Sequence, residues 1–110
     1  MANIYTNKAF DLSTTAAIPI YTVPAETVAI VKTVQAYNDT ASAVTVTMSF
    51  TDASASTTYN IGYAASSAIE QFELLTSSLL VLEEGDILIL KASVGAQVTG
   101  VASILEQDRT

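Results

Sequence analysis

The chain has 110 residues, of which 50% are hydrophobic and 14% charged, with a net charge of −7 and neither cysteine nor histidine. That length accommodates about one domain around a single core. The missing residue types exclude disulfides, thiolate and imidazole metal sites, a cysteine nucleophile and the commonest general base near neutral pH. Four Lys plus Arg stand against eleven Asp plus Glu, and Lys8, Lys32, Lys91 and Arg109 are scattered, so the clustered cations that displace counterions from phosphate are missing and no nucleic-acid partner is expected.

The N-terminal "MANIYTNKAFDL" lacks the basic-then-apolar order of a signal peptide. Strongly apolar runs reach only about four residues, where a membrane-spanning helix needs roughly 20. A soluble protein made in the cytosol, with no membrane partner, is the expectation. Residues 1–12 carry Ile4, Tyr5, Phe10 and Leu12 as apolar anchors. Two roles are open to this segment: an arm that reaches a partner, with these four residues as the contact, or the first strand of the domain's own sheet. Residues 13–110 form the body of the domain.

Next, "IPIYTVPAETVAIVKTVQAY" contains Pro19 and Pro24, which disfavour a helix and suggest two strands meeting at Pro24-Ala25-Glu26. In the second of these, over 28–37, alternation puts Val28, Ile30, Val34 and Ala36 on one face, with Lys32 as an intruder that either snorkels at an edge or marks a bulge. "NDTAS" at 38–42 reads as a turn. "VTVTMSFT" at 44–51 has the cleanest period of two, Val44, Val46, Met48 and Phe50 alternating with hydroxyl residues, and its β-branched content agrees with a half-buried strand. After a second small-residue turn, "TTYNIGY" places Thr57, Tyr59, Ile61 and Tyr63 on one side of a further strand.

Over 64–80 the pattern is ambiguous, because Ile69, Phe72 and Leu75 also suit helical spacing. "LLVLEEGDILILKA" at 79–92 holds two apolar runs around Glu83-Glu84-Gly85-Asp86, and "QVTGVASILEQ" places Val98, Gly100, Ala102 and Ile104 on one face with Val101 and Leu105 on the other. Seven to nine short strands with frequent turn signals predict an all-β, single-domain antiparallel sandwich of jelly-roll type.

Three groups of residues are candidates for chemistry. Glu83, Glu84 and Asp86 could bind a cation, but adjacent strand-end carboxylates point to opposite sides, and the stretch is far shorter than a twelve-residue calcium loop. A hairpin turn, with Gly85 supplying backbone freedom and the carboxylates wetting the bend, is the favoured reading. Ser and Thr total 26 residues, yet "ASSA" at 65–68 lacks the frame of a nucleophile elbow and no histidine base exists. Tyr37, Tyr59 and Tyr63 would make a sugar platform if they cluster, and half-buried structural tyrosines if they do not. The four glycines form no phosphate-binding loop. No enzymatic activity, cofactor, catalytic residue or metal ligand is expected. A surface of small, weakly charged residues suits packing against copies of the chain or other partners.

Taken in order, "MANIYTNKAFDLSTT", "IYTVPAETVAIVKTVQAYN", "LLVLEEGDILILKAS" and "VTGVASILE" resemble the small virion structural proteins of tailed bacteriophages, in particular those of cyanobacterial and other marine phages. The resemblance spans nearly the whole chain. It implies a non-enzymatic β-sandwich present in many copies on the virion, either a head decoration (cement) protein or a tail, neck or fibre component. The implied partners are the major capsid protein, other virion proteins and further copies of the chain. In that family Glu84-Gly85-Asp86 is a recurring turn rather than a site.

Overall fold

A computed structural model of the chain describes residues 3–67, 69–75, 79–93 and 98–108. These form β1 (Asn3–Leu12), β2 (Ile18–Thr22), β3 (Thr27–Asn38), β4 (Val44–Asp52), β5 (Thr57–Ser66), β6 (Glu70–Leu75), β7 (Leu80–Leu82), β8 (Ile87–Ala92) and β9 (Val98–Asp108). Among the described residues no helix is long and apolar enough to cross a membrane. The helical alternative over 64–80 does not hold where the chain is described. Glu70–Leu75 is extended and pairs with β3, burying Phe72 while Ile69 stays exposed at a positive φ of 49°. Leu75 pairs with Val34, but its side chain lies outside the described residues.

Strand pairing is nested about the turn at 53–56. β4 pairs with β5, β3 with β6 and β7, β2 with β8, and β1 with β9, all antiparallel. The polypeptide is thus one long hairpin, and rolling that hairpin up brings β9 beside β3 and β8 beside β4. The result is a jelly roll: one sheet runs β1-β9-β3-β6 with β7 also on β3, and the other runs β2-β8-β4-β5.

The inward faces interdigitate into a single core in which Leu12, Leu82, Leu88, Leu90, Val31 and Val46 are fully buried. Each such side chain contributes about 1.5–3 kcal/mol of burial free energy. β4 keeps the alternation read from sequence, with Val44, Val46 and Met48 inward and Phe50 half-buried against the core.

β3 departs from its expected phase. Ala29 and Val31, not Val28 and Ile30, face the core in its first half, whereas Val34 and Ala36 do so in its second. The cause is a bulge: β3–β9 register slips between Val31 and Thr33, leaving Lys32 unmatched and exposed. One extra residue inverts the facing of everything before it. A similar slip opposite Met48 and Ser49 leaves Ile61 unmatched on β5, so Tyr59 lies opposite inward-facing Phe50 while Tyr63 lies opposite Thr47 on the outer face. Thr57, Tyr59, Ile61 and Tyr63 therefore do not share one side.

Gly100 is fixed by close approach. A Cβ there would sit 2.0 Å from the Gln35 carbonyl oxygen and 2.6 Å from the Phe10 ring, because Phe10 lies across Gly100 in the β1–β9 pair.

Candidate functional site

The turn at 83–86 organises one end of the roll. Gly85 takes a φ of 85°, open to glycine at little cost, and a Cβ at this position would lie 3.0 Å from that of Ala53. This reversal turns the Asp86 side chain inward to 4% exposure, and both its oxygens are engaged: Oδ1 accepts from the Ala53 N–H at 2.9 Å and Oδ2 from the Glu83 N–H at 2.9 Å. The Asp86 carbonyl accepts from the Val23 N–H at 3.0 Å, and the Val23 carbonyl accepts from the Gly85 N–H at 3.1 Å. Glu84 Oε1 accepts from the Glu26 N–H at 2.6 Å, at a residue whose own φ is 56°.

Three loops, 23–26, 53–56 and 83–86, are thereby joined by carboxylates acting as backbone acceptors. The turn reading of Glu83-Glu84-Gly85-Asp86 describes its shape, but the expectation that all its carboxylates wet the bend fails for Asp86. Sequence offered a faint signal for this: an Asp directly after a turn glycine and directly before an apolar strand is placed to cap the reversal it terminates.

Glu26, Thr27, Ser54, Glu83, Glu84 and Asp86 line an open depression at this end. With Asp86 committed to two N–H groups and Glu84 to a third, the depression is the outer side of a loop clamp. Among the described residues no group of three or more carboxylates is placed to hold a metal ion.

The opposite end is held by Asn38, fully buried and fully satisfied. Its Nδ2 donates to the carbonyls of Ser42 (2.9 Å) and Ser67 (3.0 Å), and its Oδ1 accepts from the Thr40 N–H (3.1 Å) and hydroxyl (2.7 Å). Ser66, part of the "ASSA" stretch, is buried and donates its hydroxyl to the Ser67 carbonyl at 2.9 Å. Ala68 of that stretch lies outside the described residues.

Tyr21 is the buried phenol that sequence reading passed over. It sits on β2 between the two prolines, 4% exposed, and donates to Glu106 Oε2 of β9 at 2.5 Å, tying one sheet to the other. Burial, then the hydrogen bond, then the charge of Glu106 push its pKa well above the usual phenol value. Nothing in the local pattern of "IPIYTVP" marks it, because its partner lies 85 residues away.

The four N-terminal anchors separate into two pairs. Phe10 and Leu12 belong to the core at 8% and 0% exposure and are not surface anchors, since β1 pairs with β9 from Asn3 to Leu12 and turns these side chains inward. Ile4 and Tyr5 are exposed. Tyr37 and Tyr63 project from the outer faces of different sheets, and Tyr59 packs its ring 5.9 Å from that of Phe50. The three tyrosines do not form one platform.

On the outer face of the first sheet, register aligns Tyr5 with Leu105, Leu105 with Ile30, and Ile30 with Val81. This apolar row crosses β1, β9, β3 and β7, with Lys32 beside it and its Nζ 5.8 Å from the centre of the Tyr5 ring.

No family model and no curated protein matches the chain. Among solved structures it is similar to the Eiger TNF protein of S. frugiperda, at 12% identity and a TM-score of 0.56, covering 94% of this chain and 90% of that one. A second similarity, at 16% identity and a TM-score of 0.45, is to a chain from Bacillus endospore appendages described as a novel family of disulfide-linked pili, covering 94% of this chain and 85% of that one. At such identities the first likeness speaks to the jelly-roll fold alone.

Proposed function

We propose that this chain is a non-enzymatic structural protein of a tailed-phage virion, made in the host cytoplasm and acting as a capsid decoration protein that clamps neighbouring subunits of the head lattice. The observation that carries this reading is how the buried polar groups are used. Asp86, Asn38 and Tyr21 are all engaged in holding the chain's own loops and sheets together, which leaves adhesion through the outer surface as the capability the fold offers. The four-phrase resemblance to small virion proteins supplies the setting, with the major capsid protein, other virion proteins and further copies of the chain as partners. At ~25 cal/mol per Å² of apolar area, many copies each burying on the order of 1,000 Å² would add large lattice stability from individually modest contacts. Within the N-terminal segment, exposed Ile4 and Tyr5 are the residues available for such contacts.

Counting copies in purified particles by quantitative mass spectrometry, together with imaging of the intact particle, tests the proposal. Hundreds of copies on the head are expected. A dozen or fewer, located on the tail, would instead favour a tail, neck or fibre module that binds a receptor glycan, and absence from the particle would remove both readings. The tail alternative draws on the exposure of Tyr63 (76%) on the outer face of β5. It predicts glycan binding that is lost in Tyr63→Ala.

A further inference from the structure

We propose that the outer face of the β1-β9-β3-β6/β7 sheet is the contact between two copies of this chain, packed face to face about a two-fold axis that runs along the strands between β9 and β3. The apolar row is its centre. Under that symmetry Leu105 of one copy meets Ile30 of the other, and Tyr5 of one meets Val81 of the other. The row is therefore complementary to itself, as an isologous interface requires. Val81 is 59% and Tyr5 75% exposed, whereas the residues alternating with the row on β3, β9 and β7, namely Ala29, Val31, Ile104 and Leu82, are buried. Two separate layers of apolar side chains thus exist in this sheet, and the domain's own core accounts for only one.

Charge favours a second copy as the occupant. The chain carries −7, so most approaches of one copy to another are repulsive, but among the described outward-facing strand residues around the row on β1, β9, β3 and β7 the one charged side chain is Lys32, whose charge already lies over the ring of Tyr5. Two copies meeting here avoid the carboxylates that dominate the rest of the surface.

This inference names the surface for the self-association included in the virion proposal, and it is tested in free solution without any particle. Its failure therefore leaves the particle reading standing, and absence of the chain from a particle leaves the contact standing. Sedimentation equilibrium of the full chain at concentrations up to roughly 100 µM should show a dimer. Val81→Glu should weaken it at least tenfold, with an unchanged β-type circular-dichroism spectrum, because the new carboxylate would face the other copy's Tyr5. The double variant Tyr5→Lys with Val81→Glu should restore association by pairing opposite charges across the axis, and Tyr63→Glu on the other sheet should have no effect. A wild-type chain that stays monomeric would overturn the proposal. So would an oligomer indifferent to Val81→Glu, or a double variant no better than the single one.

Discussion

The two ends of the roll address the same problem with different chemistry. Each must join loops whose backbone groups are pulled away from water, and each does so with one buried polar side chain. At one end Asp86 offers two acceptor oxygens to two N–H groups. At the other, Asn38 offers two donors to carbonyls and one acceptor shared by two donors. What the loops present to the interior decides which side chain fits: unpaired N–H groups call for a carboxylate, and a mixture of N–H and C=O calls for an amide. The carboxylate end also gathers Glu26, Asp52, Glu83, Glu84 and Glu106, so it carries much of the negative charge, whereas at the amide end Asn38 is joined by one exposed carboxylate contact, Glu70 Oε1 accepting from the Ser67 N–H at 3.3 Å.

Exchanging the two chemistries is the strongest way to break this comparison. Asn38→Asp would press a carboxylate against the carbonyls of Ser42 and Ser67 in a fully buried position and should cost about 3–5 kcal/mol at neutral pH, read as a fall in the denaturant midpoint with an unchanged slope. Near that same end, Gly100→Ala should cost about 3 kcal/mol and lower the melting temperature by roughly 10 °C or more, since its methyl group would fall against the Gln35 carbonyl and the Phe10 ring. The reverse exchange, Asp86→Asn, retains one acceptor and turns an amide N–H₂ toward a backbone N–H. It should cost about 1–2 kcal/mol, less than Asn38→Asp because no charge is buried. Equal losses from the two exchanges would show that the ends do not discriminate donor from acceptor.

The smallest expected effect concerns alkali. Tyr21 has its pKa raised in the folded state, so the stabilisation linked to its protonated form is fully present below the unfolded phenol value of about 10 and is lost as pH rises through the higher folded value. Thermal unfolding should accordingly show a stability decline above about pH 10. The part of that decline due to Tyr21 should disappear in Tyr21→Phe, which gives up about 1 kcal/mol at neutral pH through loss of the Glu106 bond. An identical alkaline slope in the variant would assign the decline to other groups.

What could be read from sequence depended on whether both faces of a strand were chemically distinct. β4 was legible because Val and Met on one side alternate with Thr and Ser on the other. β3 was not, because Val28, Ala29, Ile30 and Val31 are all apolar, and only the bulge at Lys32 decides which pair enters the core. The turn at 83–86 was legible from Gly85, yet the burial of Asp86 was not, since its partner Ala53 N–H is 33 residues away. The link between Tyr21 and Glu106 is hidden for the same reason. Local pattern reports strands and turns, whereas buried polar partners are set by tertiary placement.

Nested pairing also dictates an order of events during synthesis. β4 and β5, separated by a four-residue turn, can zip as soon as both emerge, but β1, made before the other eight described strands, has its hydrogen-bonding partner in β9, made after them. Until β9 has been made, Phe10 and Leu12 have no complete core to enter and the edge of β1 lies open to foreign strands. With so many pairings distant in sequence, closing the roll should be slow for a domain of this size, and its final step unites the first of the nine strands with the ninth.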